Sequence, residues 1–139
     1  MIVILDTNIV ASATYWRGKP AHCLEAWAAG KFNLAISHPI LTEYEEIIAR
    51  LAARYPAKTP TGWLPAIKQA AHLYLPAPLP AATDDPDDEM FIECAAAARA
   101  DFLVTGDKGH LLSLKQAAGV PIIAATDFLR ALGLPENPA

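Results

Sequence analysis

Only two cysteines occur in the 139 residues, Cys23 and Cys94. They stand far apart, and no Cys or His pair accompanies them. A structural zinc site needs closely spaced ligand pairs, so that class is excluded. Both fall within apolar helical patterns, which predicts buried, reduced thiols rather than a disulfide. Cations are scarce as well: 11 Lys and Arg stand against 15 Asp and Glu, a net charge of −4. A general nucleic-acid coat neutralises phosphates with many Lys and Arg side chains, and this balance argues against one. It is compatible with an enzyme whose clustered carboxylates are neutralised by bound cations. Long apolar runs are missing too, and none nears the roughly 18 to 20 residues that span a bilayer. Met1 leads directly into an apolar stretch and Asp6, with neither a basic leader nor a cleavage site. The expectation is a cytoplasmic protein with no membrane partner.

What the chain does have is apolar material, 53% of its residues, with 19% charged. That composition predicts a packed core, and the length suits one domain over residues 1–139. Residues 2–5 form a short apolar run ending at Asp6, the signature of a strand buried on both faces. Asp6-Thr7-Asn8 then caps a helix to about Tyr15. Gly18 and Lys19 read as a loop, Pro20 opens a helix to Ala29, and Gly30 ends it. Phe32 to Ser37 reads as a second strand, and Ser37-His38-Pro39 starts a helix to about Ala53. Seven of the twelve prolines lie from Pro56 to Pro86. That stretch predicts loops, one helix near Gly62 to His72, and an edge strand around Leu73 to Leu75. Asp85-Pro86 opens a further helix to about Ala100, Asp101 to Thr105 is a strand, and residues 120–124 form the last one. Thr126 is the expected cap of a closing helix, Asp127 to Leu132. Alternation of this kind predicts an α/β fold: a three-layer α/β/α arrangement with a central, mainly parallel sheet.

Ligands bind such sheets at the carboxyl ends of the strands. Asp6 follows the first strand and Asp107 lies two residues past Thr105, so both are expected at that edge. Glu43 lies one to two turns into the helix after the second strand, and Asp88 in the first turn of the Pro86 helix. Strand-to-helix connections leave from the same edge, so these four acids can converge. Converging carboxylates raise one another's pKa unless a cation sits between them. Hard cations such as Mg²⁺ or Mn²⁺ prefer oxygen ligands, and two of them can activate water for phosphoryl displacement. Thr7, Asn8 and Thr105 are candidates to hold the acids or orient the water. Each residue also has a plainer reading. Asp6 can be an N-cap, Glu43 part of a solvated helix face beside Glu45 and Glu46, and Asp107 a turn former in Thr-Gly-Asp-Lys-Gly.

Taken together, the residues are familiar. Ile-Leu-Asp6-Thr7-Asn8-Ile-Val resembles the opening motif of the PIN-domain family, and Ser37-His-Pro-Ile-Leu-Thr-Glu43-Tyr-Glu-Glu its second acidic motif. Asp85-Pro-Asp-Asp88-Glu-Met-Phe-Ile-Glu-Cys is similar to the third, and Leu-Val-Thr105-Gly-Asp107-Lys to the fourth. Val-Pro-Ile-Ile and Asp-Phe-Leu resemble the closing strand and helix. The resemblance implies a metal-dependent nuclease with Asp6, Glu43, Asp88 and Asp107 as catalytic metal ligands, supported by Thr7, Asn8 and Thr105. Asp87 or Glu89 takes the place of Asp88 if the helix start shifts by one residue. Many small prokaryotic members are ribonuclease toxins held by a cognate antitoxin, and the Pro-rich excursion with Asp-Pro-Asp-Asp is similar to that subgroup. The implied cofactor is Mg²⁺ or Mn²⁺, and the implied partners are RNA, an antitoxin and, with the apolar helices, a second copy of the chain.

Other readings compete. A dehalogenase-like phosphatase would need a second Asp two residues after Asp6, where Asn8 stands. A receiver-type signalling domain lacks its paired acids and distal Lys. A non-catalytic RNA- or protein-binding module has no need of four filled acidic positions. Arg17, Lys19 and Lys108 are candidates to border the acidic edge, with Tyr15 and Trp16 stacking on unpaired bases. The alternative leaves the basic residues solvated and Trp16 packed on the surface. His22, His38, His72 and His110 are scattered polar residues, of which His110 lies nearest Asp107. Trp27 and Trp63 have the helical contexts of core or interface residues.

Overall fold

The computed structural model describes residues 1–81, 85–106 and 110–134. The first strand, β1 (Ile2–Leu5), has Val3, Ile4 and Leu5 fully buried, as expected of a strand covered on both faces. Asp6 ends it and caps α1 (Thr7–Tyr15), its side chain accepting from the Thr7 N–H. Helix α2 (Lys19–Ala28) begins one residue before Pro20, and the chain leaves it through Gly30 at φ 79°, a conformation that suits glycine. Strand β2 (Asn33–Ile36) leads into the long α3 (His38–Arg54), capped by the buried Ser37 and pre-shaped by Pro39.

The Pro-rich stretch holds α4 (Trp63–Ala70) and β3 (His72–Leu73). The edge strand is shorter than expected. The Tyr74 N–H still reaches the Ile36 carbonyl, but Leu75 is 81% exposed and prolines at 76, 78 and 80 remove further donors. Helix α5 (Pro86–Ala98) starts at the Asp85 cap and stops at Arg99, which adopts φ 50°. Strand β4 (Phe102–Thr105) follows.

Two short elements escape a pattern reading, α6 (His110–Leu114) and β5 (Gln116–Ala117). β5 runs antiparallel to β6 (Val120–Ala124), joined through Ala118 and Gly119, both at positive φ. Such a turn is usually signalled by Asn-Gly or Asp-Gly, and Ala at its first central place hides it. The last helix, α7 (Ala125–Ala131), corrects the expected cap at Thr126. Ala124 takes the cap position without a side-chain bond, because β6 turns directly into the helix.

The strands form one sheet in the order β3-β2-β1-β4-β6-β5. All pairings are parallel except that of β5 with β6. Helices α1, α2 and α7 pack together over one face, and α5 lies on β1, β2 and β4 over the other, giving the expected α/β/α layering. Among the described residues, no helix is long and apolar enough to cross a membrane. The core includes Phe91 and Phe128, whose burial contributes about 1.5–3 kcal/mol each. Cys23 and Cys94 are buried and free, and burial pushes each thiol up to about 12.

β1 has consecutive crossovers on one side, to β2 and then β3, and its other neighbour is β4. The chain therefore reverses its direction of winding between β1 and β4. A crevice opens at the carboxyl ends of the two strands flanking such a reversal.

Candidate active site at the sheet edge

Asp6 stands at that crevice. Its residue is only 8% exposed, and the side chain is held from two directions. Oδ1 accepts the Thr7 N–H at 2.7 Å and Oδ2 accepts the Thr105 Oγ1 hydroxyl at 2.7 Å. Thr105 is fully buried and ends β4, so this bond ties the two flanking strands through the carboxylate. These two hydrogen bonds fix the rotamer of Asp6. Asp6 is thus the N-cap expected on local grounds and also lines the candidate cleft.

The buried Thr7 points its Oγ1 at Glu43 and donates to Oε2. Beside it, Tyr44 is completely buried and donates its hydroxyl to the Leu5 carbonyl. That bond anchors α3 to the end of β1, one residue from Asp6. Burial first, then the charge of Asp6, raises the Tyr44 phenol well above its ordinary value, so it stays a neutral donor. The sequence reading missed Tyr44. Its signal is the apolar spacing Ile40, Tyr44, Ile47, Leu51 on α3, which points the tyrosine inward next to Glu43.

The far wall is the start of α5. Asp85 accepts the Asp87 N–H at 2.9 Å, which leaves the side chains of Asp87 and Asp88 in the first helical turn. An open cleft of about 260 Å³ is lined by Asp6, Thr7, Asn8 and Glu43 together with Ile47, Asp87, Asp88 and Phe91. Asp87 is exposed and Asp88 half-buried; Glu89 is not part of the lining. Of the seven site residues read from the sequence, Asp6, Thr7, Asn8, Glu43 and Asp88 line the cleft, and Thr105 reaches it through Asp6. Asp107 and Lys108 lie outside the described residues, as does the side chain of His110.

The electrostatics match an acidic cleft. Burial is the main reason the Glu43 carboxyl is raised above its ordinary value; the Thr7 hydrogen bond lowers it, and the charges of Asp87, Asp6 and Asp85 raise it again. The donor set is all oxygen, the kind that hard divalent cations take. Among the described residues, however, no three acids, His or Cys draw close enough to form a ligand set by themselves.

Other expectations are redirected. Tyr15 is buried and donates to the Ile48 carbonyl at 3.3 Å, so its ring is a packing element and not a stacking face. Arg17 and Lys19 do not line the cleft, because α1 starts at the acidic edge and carries the chain away over nine residues. His38 and His72 are exposed, and His22 borders a separate apolar cavity with Leu129 and Leu134. Trp27 and Trp63 pack half-buried against the core.

The PIN domain family model matches residues 2–109, most of the chain, with Asp6, Glu43, Asp88 and Asp107 all inside the matched span. Neither a curated protein nor a solved structure matches. PIN domains are in general nucleases that act on nucleic acid and typically use divalent metal ions. On its motifs, its sheet order and this match, the chain belongs to the PIN-domain family.

Proposed function

We propose that the chain is a cytoplasmic Mg²⁺- or Mn²⁺-dependent endoribonuclease, one domain over residues 1–139, and the toxin of a toxin–antitoxin pair. The observation that carries the reading is the hydrogen-bonded fixing of Asp6 at the sheet reversal, facing Glu43, Asp87 and Asp88 across one cleft. Burial first, and then the charges of Asp87, Asp6 and Asp85, raise the Glu43 carboxyl, and a bound cation would relieve that cost. A carboxylate held in this way is already oriented for a cation.

Asp6, Glu43 and Asp88 would hold the cation, and Asp107 is assigned the fourth position. A divalent cation bound there supplies charge neutralisation for the phosphate and lowers the pKa of water. Thr105 and Thr7 keep Asp6 and Glu43 aimed by donating hydrogen bonds to one oxygen of each carboxylate. Asn8, exposed at the rim, would donate to a phosphate oxygen. The antitoxin would block this cleft, and a second copy of the chain is a further proposed partner.

The test is incubation of purified, partner-free protein with single-stranded RNA and Mg²⁺ or Mn²⁺, beside an Asp6→Asn control. Cleavage that needs metal and disappears in the control supports the reading. The other reading of the same cleft is a binding-only module. RNA retention by folded protein with no cleavage under any divalent cation would favour it.

A further inference from the structure

The charge of this chain is unevenly distributed. Residues 7–24 and 47–83 contain no Asp or Glu, yet they hold six of the eleven Lys and Arg: Arg17, Lys19, Arg50, Arg54, Lys58 and Lys68. These segments meet in space. The Thr61 N–H donates to the Thr14 carbonyl at 2.8 Å, and Trp16, just past α1, lies edge-on to Tyr55, just past α3, with ring centroids 5.3 Å apart. Lys58 Nζ sits 5.1 Å from the Trp16 centroid and the Arg54 guanidinium 5.5 Å from that of Tyr55. Trp16 remains 38% exposed, which a tryptophan serving only the core would not need. Among the described residues the ion pairs are Lys68–Glu45 and Arg130–Asp127, so Lys68 is engaged while Arg50, Arg54 and Lys58 take part in neither pair.

The cluster is connected to the cleft by one face of α3. Glu43 and Ile47 line the cleft. Arg50 and Arg54 continue the same stripe at seven and eleven residues beyond Glu43, the spacing that keeps side chains on one face of a helix. At ~1.5 Å per residue, Arg54 lies about 16 Å along the helix from Glu43. An acidic cleft therefore continues into a basic stripe that ends on two aromatic rings.

We propose that Arg50, Arg54 and Lys58, with Trp16 and Tyr55, form a track that holds single-stranded RNA a few nucleotides to one side of the phosphate placed in the cleft. This rests on the nuclease reading and names the form of its substrate. Cations spaced along a helix face neutralise successive phosphates, while an exposed indole offers a surface on which any unpaired base can stack. A duplex keeps its bases stacked on one another and cannot use the rings.

The experiment measures binding of a fluorescent 12-nucleotide mixed-sequence RNA, single-stranded or annealed to its complement, to the Asp6→Asn protein in Mg²⁺ across a salt series. The exposed triple variant Arg50→Ala/Arg54→Ala/Lys58→Ala and the variants Trp16→Ala and Trp16→Tyr are compared in that background. The track predicts about tenfold weaker binding for Trp16→Ala, with Trp16→Tyr retaining most of it. It predicts a salt slope shallower by about 2 for the triple variant, near 0.7 for each lost phosphate contact on a single strand. Unchanged affinity and slope in protein that still binds RNA would overturn the track and leave the nuclease reading standing. Equal binding of the duplex would overturn the single-strand assignment. Failure of both Asp6→Asn and wild-type protein to bind any RNA would overturn the track together with the nuclease reading.

Discussion

The two walls of the cleft are built differently. On the β1/β4 side, Asp6 is almost fully buried and bonded to Thr7 and Thr105, and Tyr44 pins the adjoining helix. On the α5 side, Asp87 and Asp88 stand in the first turn of a helix, exposed and half-buried, where the helix's own positive end favours them. A buried carboxylate cannot wander and needs partners whether or not a cation is present. A first-turn carboxylate is stable in water and can adjust. One wall therefore supplies geometry and the other supplies charge.

Breaking the rigid wall should have the largest effect. Asp6→Asn removes the one carboxylate that both strands orient, and metal-dependent cleavage should fall by about two to three orders of magnitude with the fold intact. The adjustable wall should be more forgiving, with Asp88→Asn losing about tenfold and the more exposed Asp87→Asn less. Steady-state cleavage of one RNA by all three variants, with circular dichroism as a folding control, decides the comparison. Equal losses at Asp6 and Asp87 would erase it.

Thr105→Val tests the orienting bond while leaving every acid in place. The methyl fills the space of the hydroxyl, but Asp6 Oδ2 loses a buried donor. A loss of about 1–2 kcal/mol in stability is expected. Metal affinity should weaken about 10- to 100-fold, as for other residues that orient a ligand without touching the metal. Calorimetric titration with Mn²⁺ alongside urea unfolding separates the two effects. If stability falls and affinity does not, Thr105 is a fold residue only.

How much of this was legible beforehand depends on whether local chemistry or distant packing decides the position. Asp6, Ser37 and Asp85 announce themselves as caps because the signal lies in adjacent residues, and three helices duly start where expected. The apolar run at residues 2–5 likewise forces a buried strand. Tyr44 was illegible as part of the site because its partner, the Leu5 carbonyl, is 39 residues away and has no side-chain signature. Of the two readings of Arg17 and Lys19, the one at the acidic edge fails because the length and direction of α1 carry them away from it. Thr126 has the chemistry of a cap, yet β6 runs straight into the helix and leaves the cap position to Ala124.

Glu43 sharpens the comparison through pH. Its carboxyl is raised in the folded protein, mainly by burial, so the native state holds the proton more tightly than the unfolded chain does. For a raised acid the contribution to stability is present below the unfolded value near 4.5 and is lost as pH rises through the folded one. Metal-free protein should therefore lose stability over that interval. Glu43→Gln should flatten the loss and be the more stable protein at neutral pH without metal. Added Mg²⁺ should reverse the ranking, since wild-type protein gains about 2.7 kcal/mol at a hundredfold excess over Kd and the variant gains less. Thermal melts of both proteins with EDTA and with Mg²⁺, from pH 4 to 8, test the sign. A Glu43→Gln protein less stable than wild type in EDTA at neutral pH would contradict it.

The smallest expected effect lies at the base of the adjustable wall. Asp85 caps α5 by accepting the Asp87 N–H, and Asp85→Ala should cost about 1 kcal/mol, the usual loss for an N-cap aspartate. Its carboxylate also contributes to raising Glu43 from across the cleft, so its removal should ease the Glu43 carboxyl slightly downward. Asp85→Asn separates the two roles, because asparagine caps a helix nearly as well as aspartate but carries no charge. Stability near wild type for Asn and reduced for Ala would make Asp85 a cap. If the Asn variant also leaves cleavage unchanged, the charge of the α5 wall that matters resides in Asp87 and Asp88, and the helix beneath them is scaffold.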